Sequence, residues 1–228
     1  MFFKGKGLIA KSAVVICSTI LVTGCATESH REIQPQKVET YRVNYQGPRT
    51  TLVVGNFDNR SNYLQGMFSS DNNRLGNQAQ TILKTHLQQT NRFNVVDREN
   101  MPEMQQEANL SGIKQQIKGA RYVVTGDVTE FGRKVTGDKQ LFGILGKGKT
   151  QTAYAKVSLN IVDVVTSQIV YSTQGAGEYE LSNREIIGFG GAAGYDATLN
   201  GKVLNFAIME AVNNLVMDMQ NGIWTIEQ

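Results

Sequence analysis

The fold is decided by the stretch QTAYAKVSLNIVD, which spans residues 151–163. Small or apolar side chains alternate strictly with more polar ones along it, and successive side chains of a β-strand point to opposite faces of the sheet. The more apolar face carries Ala153, Ala155, Val157, Leu159 and Ile161. This period of two predicts a long strand with one face packed against the interior of a domain.

The other elements surround this strand in the order of an α/β layer. β-branched and aromatic runs predict strands, and apolar residues at helical spacing predict helices. The predicted strands are 51–55, 93–97, 122–126, 131–140 and 169–175, and the predicted helices are 74–90, 102–108 and 202–219. Strands that alternate with helices form sheets covered by helices. We therefore predict an α/β fold, with a mixed sheet packed by helices, over residues 48–228.

The first 24 residues have the three parts of a bacterial secretion signal. Lys4, Lys6 and Lys11 form its positive end. The apolar run 12–22 has 11 residues, far short of the roughly 20 that span a bilayer as a helix. We predict that residues 1–24 are removed as a signal peptide.

Cys25 directly follows a small-residue cut site, which resembles the lipobox of bacterial lipoproteins. The resemblance implies that lipid is attached to Cys25, and Ala26 at the next position favours the outer membrane. The alternative is an ordinary signal with an incidental cysteine. Residues 25–47 are polar and aperiodic, and we predict that they form a lipidated tether.

Composition argues against several functions. Residues 1–24 hold three lysines and no acid, so the 23 Lys+Arg become 20 against 20 Asp+Glu in the mature chain. A net charge of zero offers no basic field for nucleic acid. With Cys17 removed and Cys25 lipidated, no free cysteine remains, and the two histidines, His30 and His86, are too few for a His-based metal site. No paired carboxylates, Cys/His cluster or nucleophile elbow occurs in the sequence, so we predict no enzyme, no metal site and no cofactor other than the lipid.

Two apolar, glycine-rich segments interrupt the second half of the chain. Residues 143–150, GILGKGKT, match the phosphate-binding pattern G-x-x-x-x-G-K-[ST]. That chemistry requires a helix after the loop, whereas the residues after Thr150 alternate as a strand. Residues 188–191, GFGG, follow no buried strand that opens a βαβ unit. We predict no nucleotide site and interpret the first segment as a hairpin tip.

A long polar loop is predicted at residues 58–73, and it carries Tyr63, Met67 and Phe68. Loops of this length are often functional. Its apolar side chains either contact a partner or pack on the domain's own surface, and the sequence leaves both alternatives open.

Taken together, these features resemble the CsgG family, the outer-membrane lipoproteins of curli secretion and their holdfast-anchoring relatives. The resemblance is carried by the lipobox and by stretches 52–55, 93–98, 122–128, 157–164 and 166–170. It implies an α/β periplasmic domain that joins into a ring, in which each copy lends two β-hairpins to a shared transmembrane barrel. Segments 131–155 and 178–201 lie where those hairpins would be. Their 25 and 24 residues suffice for two spanning strands of about 9–11 residues and a turn.

The resemblance also implies candidate contact residues. Membrane-hairpin or partner contacts are expected at Phe142, Ile144, Leu145, Ala153, Ala155, Val157, Ile187 and Phe189. A constriction or contact loop is expected at Tyr63, Met67 and Phe68, although the order and spacing of the curli channel's Tyr, Asn and Phe ring are missing.

We expect an outer-membrane lipoprotein facing the periplasm that forms a homo-oligomer. It would build or scaffold an export or envelope-assembly complex, in its fullest form a secretion channel for a secreted or envelope protein. The alternative is a non-pore lipoprotein that binds an envelope partner through a knob at Phe142, Ile144 and Leu145. A periplasmic enzyme is disfavoured by the missing catalytic groups.

Overall fold

The structure, a computed structural model, describes residues 36–41, 43–63, 73–139, 147–185 and 199–226. Its elements are β1 Thr50–Asn59, α1 Arg74–Gln89, β2 Phe93–Val96, α2 Met101–Leu110, β3 Tyr122–Lys139, β4 Lys147–Asp163, β5 Ile169–Glu185 and α3 Leu199–Gln220. The predicted α/β fold, with a mixed sheet packed by helices, is confirmed. No helix in the described ranges combines the length and the apolar character needed to cross a membrane.

The sheet has the strand order β2-β1-β3-β4-β5. β2, β1 and β3 are parallel, and Leu52 of β1 is level with Val95 and Tyr122. β4 and β5 each run antiparallel to the strand before them, and Ile161 of β4 lies opposite Val124 and Tyr171. The sheet therefore has a parallel half, β2-β1-β3, and an antiparallel half, β3-β4-β5, which share β3.

The core lies between one face of this sheet and the helices α1 and α3. The five apolar positions of the alternating stretch in β4 are each at most 3% exposed, which confirms that this face is buried. From α1 the core receives Leu75, Ala79, Leu83 and Leu87, at a spacing of four residues. From α3 it receives Val203, Leu204, Ala207, Ile208, Ala211, Val212 and Leu215. The two helices thus cover the sheet with the apolar stripes that the sequence predicts.

Two glycines of β5 allow α3 to lie directly on the sheet. A Cβ atom at Gly175 would be 2.1 Å from the carbonyl oxygen of Ala207 and 2.5 Å from the backbone nitrogen of Ala211. A Cβ at Gly177 would be 2.7 Å from the carbonyl oxygen of Val203. No side chain fits between strand and helix backbone at these points, so glycine is required for the close approach.

β3 and β5 are longer than predicted. The predicted strands 122–126 and 131–140 form the single strand β3, with an irregularity in its pairing between Val128 and Glu130. β5 ends at Glu185 instead of at residue 175. Both strands pair along nearly the whole of β4. Strand formation in their polar parts therefore depends on a neighbouring strand, which local alternation does not reveal.

The tether predicted at residues 25–47 is too long. Val38 is only 2% exposed, and Tyr41 packs against the core. The Glu39 N–H donates a hydrogen bond to Asn213 Oδ1 of α3 at 3.2 Å. The chain from Gln36 onward therefore belongs to the domain. A single buried valine among polar residues has no periodicity from which its burial could be predicted.

Candidate interaction surfaces

The first candidate surface is a three-stranded extension of the sheet, which we call the β-ribbon. It consists of residues 131–139, 147–155 and 177–185. Phe131 pairs with Ala155 at its base, and Lys139 pairs with Lys147 at its far end. Nine residues at about 3.4 Å each give a length of roughly 30 Å. This places the strands of the predicted hairpin segment 131–155; residues 140–146 lie outside the described ranges.

The outer edge of β5 is covered along the core and open along the β-ribbon. Glu210 of α3 accepts a hydrogen bond from the Ala176 N–H at 2.7 Å, and Asn214 Nδ2 donates one to the Gln174 carbonyl at 3.0 Å. Side chains that occupy edge groups in this way prevent pairing with another chain. Beyond Gly177, no strand in the described ranges pairs with this edge, and none pairs with the other edge of β3 beyond Val128.

The outer half of the β-ribbon is polar. It comprises residues 134–139, 147–152 and 180–185, and eight of these eighteen positions are charged. Val135 and Leu181 are its only large apolar residues. A strand in contact with lipid alternates apolar with polar residues, and this half of the β-ribbon does not show that pattern.

The base of the β-ribbon is joined to the loop after β1 through Tyr63. The Tyr63 ring lies 4.7 Å from that of Phe131, measured between centroids. Its hydroxyl accepts a hydrogen bond from Asn200 Nδ2 at 3.1 Å, and Asn200 Oδ1 accepts one from Arg133 Nε at 2.7 Å. The sequence leaves open whether the loop's apolar side chains contact a partner or pack on the domain's own surface. Tyr63 packs on the domain's own surface. Met67 and Phe68 lie outside the described residues.

The contact residues predicted in β4 require a correction. Ala153 and Val157 are fully buried and Ala155 is 3% exposed. All three belong to the core that α1 and α3 cover, because the alternation of β4 directs them to the helix side of the sheet. They therefore contact this domain's own interior and are removed from the candidate surface. Phe142, Ile144, Leu145, Ile187 and Phe189 lie outside the described ranges, as does Cys25.

Three acidic residues, two inside β3 and one at the end of β4, bridge to basic side chains. The pairs are Asp127 with Arg60 at 2.5 Å, Glu130 with Lys156 at 2.7 Å and Asp163 with Arg121 at 2.9 Å. Asp163 also accepts hydrogen bonds from the N–H groups of Thr166 and Val165. These bonds, first that of Thr166, together with Arg121 lower the pKa of Asp163. These carboxylates therefore hold the β4–β5 turn and the neighbouring strands together.

The phosphate-loop match does not have the required geometry. Lys147–Thr150 is the beginning of β4, and the chain continues as strand to Asp163. A phosphate site of this type requires a helix N-terminus directly after the loop, and a strand occupies that position here. In the parts of the chain that the structure describes, no group of three or more His, Cys, Asp or Glu could hold a metal ion.

The second candidate surface was not predicted from the sequence. It comprises α2 and the segment that follows, residues 101–118, and we call it the α2 surface. No residue of α2 is buried. Met104 is 37% exposed, Leu110 74%, Ile113 66% and Ile117 57%. Ile113 and Ile117 follow the helix, which ends at Leu110, and no described element covers these four side chains.

A model of the family described as "Curli production assembly/transport component CsgG" matches residues 41–227. The chain is 62% identical over 216 residues to "Putative lipoprotein NMB1126/NMB1164" of Neisseria meningitidis serogroup B (strain ATCC BAA-335 / MC58). This match covers 95% of the present chain and 97% of the relative.

Two solved structures show a weaker similarity. The PelC dodecamer from Paraburkholderia phytofirmans is 15% identical with a TM-score of 0.35, and the match covers 74% of this chain and 93% of that one. The lipoprotein GNA1162 from Neisseria meningitidis is also 15% identical with a TM-score of 0.35, over 75% of this chain and 99% of that one. Scores this low say nothing about the function of the present chain.

Proposed function

The chain belongs to the CsgG family, as its sequence predicts, and we propose that it is a lipid-anchored outer-membrane protein that assembles with copies of itself into an export or envelope-assembly complex. The observation that carries this proposal is the β-ribbon, whose two outer edges pair with no described strand. One edge belongs to β5 and the other to β3, so a contact between them joins two different surfaces. Repeated contacts of this kind form a ring when the rotation closes.

Cys25 would hold the domain close to the membrane. The relative from Neisseria meningitidis carries the name of a lipoprotein, which supports lipid attachment. Eleven residue steps separate Cys25 from Gln36, where the domain begins, and at roughly 3.3 Å each they reach at most about 36 Å. A lipidated Cys25 would thus keep the domain within that distance of the membrane surface.

The anchor is tested by comparing two cysteine substitutions in the full chain. Cys25→Ser should move the protein to the soluble fraction and abolish labelling by palmitate, because no thiol remains at the lipid site. Cys17→Ser is the matched control, since it lies in the predicted signal and should leave both properties unchanged. A Cys25→Ser protein that stays in the outer-membrane fraction would contradict the anchor.

Assembly through the β-ribbon is tested by removing one outward backbone N–H. The Ala176 N–H points away from β4, toward Glu210, and the β4–β5 register is regular from Tyr171 to Glu185. The Ser182 N–H therefore points outward as well. Ser182→Pro removes this donor without removing a backbone bond to β4. Ser172→Pro makes the same backbone change outside the β-ribbon and also removes the bond from the Ser172 hydroxyl to Asn160 Oδ1 of β4.

In mild detergent we expect the wild-type protein and Ser172→Pro to form the same large assembly and Ser182→Pro to shift toward monomer, as measured by light scattering after gel filtration. A wild-type protein that is monomeric contradicts the proposal. So does a Ser182→Pro variant that assembles normally. The channel form further predicts ring-shaped particles in micrographs and conductance in lipid bilayers.

A non-pore lipoprotein that binds an envelope partner is the second candidate, and the polar outer half of the β-ribbon favours it. Each Lys or Arg facing lipid at mid-bilayer costs about 2–4 kcal/mol, and each Asp or Glu costs less. Five Lys or Arg and three Asp or Glu occur within the eighteen positions. Replacing Phe142, Ile144 and Leu145 together by Ser should abolish cross-linking to a periplasmic partner in intact cells while membrane attachment persists. Val165→Ser, at an exposed turn, is the control. Conductance by the wild-type protein would exclude this candidate.

A further inference from the structure

The end of the domain that lies opposite to the β-ribbon, which we call the basal end, is formed by the starts of β3 and β5 and the ends of β4 and α3. Tyr122 pairs with Asp163 across β3 and β4, and the Tyr171 hydroxyl of β5 donates a hydrogen bond to Asp218 of α3 at 2.6 Å. The ring of Trp224 lies 5.7 Å from that of Tyr122 and 5.6 Å from that of Tyr171. The β4–β5 turn and the segment after α3 therefore lie together at the basal end.

The basal end carries a set of exposed apolar side chains. Six of the twelve large apolar side chains that are exposed in the described parts of the chain lie there, and we call these six the basal patch. Its members are Val164 (50% exposed), Val165 (76%), Ile169 (60%), Val170 (38%), Met217 (49%) and Ile223 (68%). A concentration of exposed apolar side chains at one place is typical of contact with a protein or a membrane.

The segments that carry the basal patch contain almost no charge. Residues 164–170 and 219–226 have no charged side chain, whereas 19% of the whole chain is charged. The neighbouring carboxylates have partners within the domain: Asp163 pairs with Arg121 at 2.9 Å, and Asp218 accepts the hydrogen bond from Tyr171. Because the transfer of an isolated charge out of water is what makes burial expensive, this end of the domain can leave water at little cost.

The predicted tether joins the domain nearer to the basal end than to the β-ribbon. The bond from the Glu39 N–H to Asn213 holds the chain against α3, three residues after the domain begins. Asn213 is seven residues from the end of α3 at Gln220, or about 10 Å at roughly 1.5 Å per residue. It is thirteen residues from Asn200, which bonds to the base of the β-ribbon, or about 20 Å.

The length of the tether favours the basal end as the part of the domain that meets the membrane. The chain from Cys25 to Gln36 has eleven residue steps, and as a coil it spans about 17–20 Å, which brings the basal end to the lipid. The far end of the β-ribbon lies roughly 30 Å beyond its base, and therefore about 50 Å from Asn213. This distance exceeds even the extended tether, which reaches about 36 Å.

We propose that the basal patch lies on the membrane to which Cys25 is anchored, with its apolar side chains among the lipid headgroups. The inference rests on the lipid anchor of the proposed function and adds an orientation to it, since a tether alone leaves the domain free to turn. Anionic lipid attracts basic side chains, and the patch has none, so neutral lipid suffices. The β-ribbon then points away from the membrane, in agreement with its polar outer half. This orientation permits assembly of copies through the β-ribbon and excludes the channel form.

The first test measures which part of the domain is near lipid. A polarity-sensitive fluorophore is attached to Ile169→Cys and, in separate samples, to Ile117→Cys on the α2 surface and Thr136→Cys on the β-ribbon; Ile169 and Ile117 are 60% and 57% exposed. Lipid on Cys25 and loss of Cys17 with the signal leave the introduced cysteine as the free thiol. The full-length protein is bound to phosphatidylcholine vesicles that carry a nitroxide on the headgroup. Apolar side chains at a membrane surface enter about 5–10 Å into the boundary of headgroups and acyl chains, so we expect a blue shift and at least about threefold stronger quenching at Ile169→Cys than at either control.

Each other outcome of this test has a distinct meaning. Quenching at Thr136→Cys in place of Ile169→Cys would show that the β-ribbon faces the membrane, and would overturn the proposal. A blue shift at Ile169→Cys without quenching by lipid would mean that a second copy covers the basal patch, which also overturns it. Protein that does not float with the vesicles would contradict the lipid anchor, and the proposal with it. Protein that floats but shows no change at Ile169→Cys would contradict the membrane contact alone.

The second test uses Trp224, the single tryptophan of the chain, and needs no label. In the same vesicles, the headgroup nitroxide should quench the fluorescence of wild-type Trp224. Val165→Asp with Ile169→Asp should lose most of this quenching while the protein still floats, because charged side chains hold the basal patch in water. Leu110→Asp with Ile117→Asp is the matched control, since these residues are 74% and 57% exposed against 76% and 60% for the first pair, and it should be quenched like the wild type. Equal quenching of the two double variants would show that the basal patch does not touch lipid.

Discussion

Replacement of Gly175 by Ala tests the contact on which both the core and the covered edge of β5 depend. The new Cβ atom would lie 2.1 Å from the Ala207 carbonyl oxygen, and ordinary contact begins at 3.4 Å. Helix α3 would therefore have to move away by about 1.3 Å. The obstacle is helix backbone and not the end of a flexible side chain, so rotation of a side chain cannot relieve it.

The cost follows from what the displacement does to the core. Inserting a methyl group into a packed interior costs typically about 1–3 kcal/mol, and the residues of α3 that face β5, Ala207 and Ala211, are fully buried. Replacing glycine also lowers the entropy of the unfolded chain, which returns about 0.4–1 kcal/mol. We expect a net loss of about 1 kcal/mol in the free energy of unfolding, or roughly 2–4 °C in Tm for a domain of this size.

The assay is urea and thermal unfolding of the purified protein, followed by circular dichroism. Gly119→Ala is the matched control, because a Cβ there meets no atom within 4 Å, and its stability should match or slightly exceed that of the wild type. A displaced α3 also withdraws Glu210 from the Ala176 N–H, so Gly175→Ala should aggregate more readily. A Gly175→Ala protein as stable as Gly119→Ala would refute the close packing of α3 on β5.

Three further predictions concern stability and pH. The pKa of Asp163 is lowered below the ordinary 3.8, so its stabilising effect is present above about pH 4 and lost as the pH falls through the folded-state pKa; Asp163→Asn should remove this acid-dependent loss in urea unfolding. Burial, and then the bond to Asp218, raise the pKa of Tyr171 to about 12 from 10.0. The contribution of Tyr171 to the free energy of unfolding is therefore present below pH 10 and lost between pH 10 and 12. In a titration followed by tyrosinate absorbance, Tyr171→Phe should lack the group that titrates last in the wild type. Leu83→Ala, at a fully buried position, should cost about 2–5 kcal/mol, whereas Leu110→Ala on the α2 surface should change the free energy of unfolding by less than about 0.5 kcal/mol.

The sequence predicts those elements of the fold in which the spacing of apolar residues reflects burial of one face. The alternation from Ala153 to Ile161 places β4 and its buried face, and the apolar stripe of α3 places that helix to within three residues at its start. Both patterns exist because one face of the element meets the core and the other does not. The order of strands and helices then predicts the mixed α/β sheet.

The β-ribbon and the α2 surface show where this reasoning stops. In the β-ribbon, Lys134 and Thr136 are exposed, so nothing imposes an apolar alternation and only pairing with β4 makes the segment a strand. On the α2 surface, Leu110 and Ile113 have the spacing of core residues but are exposed. A sequence pattern identifies apolar faces, whereas whether another element covers them depends on contacts between distant parts of the chain.

The position of α3 connects stability with association. Because Gly175 and Gly177 let the helix lie against β5, Glu210 and Asn214 reach the backbone groups of Ala176 and Gln174 and satisfy them. An edge satisfied in this way cannot accept a strand from another molecule. Strand addition is therefore blocked at Gln174 and Ala176, directly before the β-ribbon begins at Gly177, and the packing that stabilises the core also limits where another chain can add to this sheet.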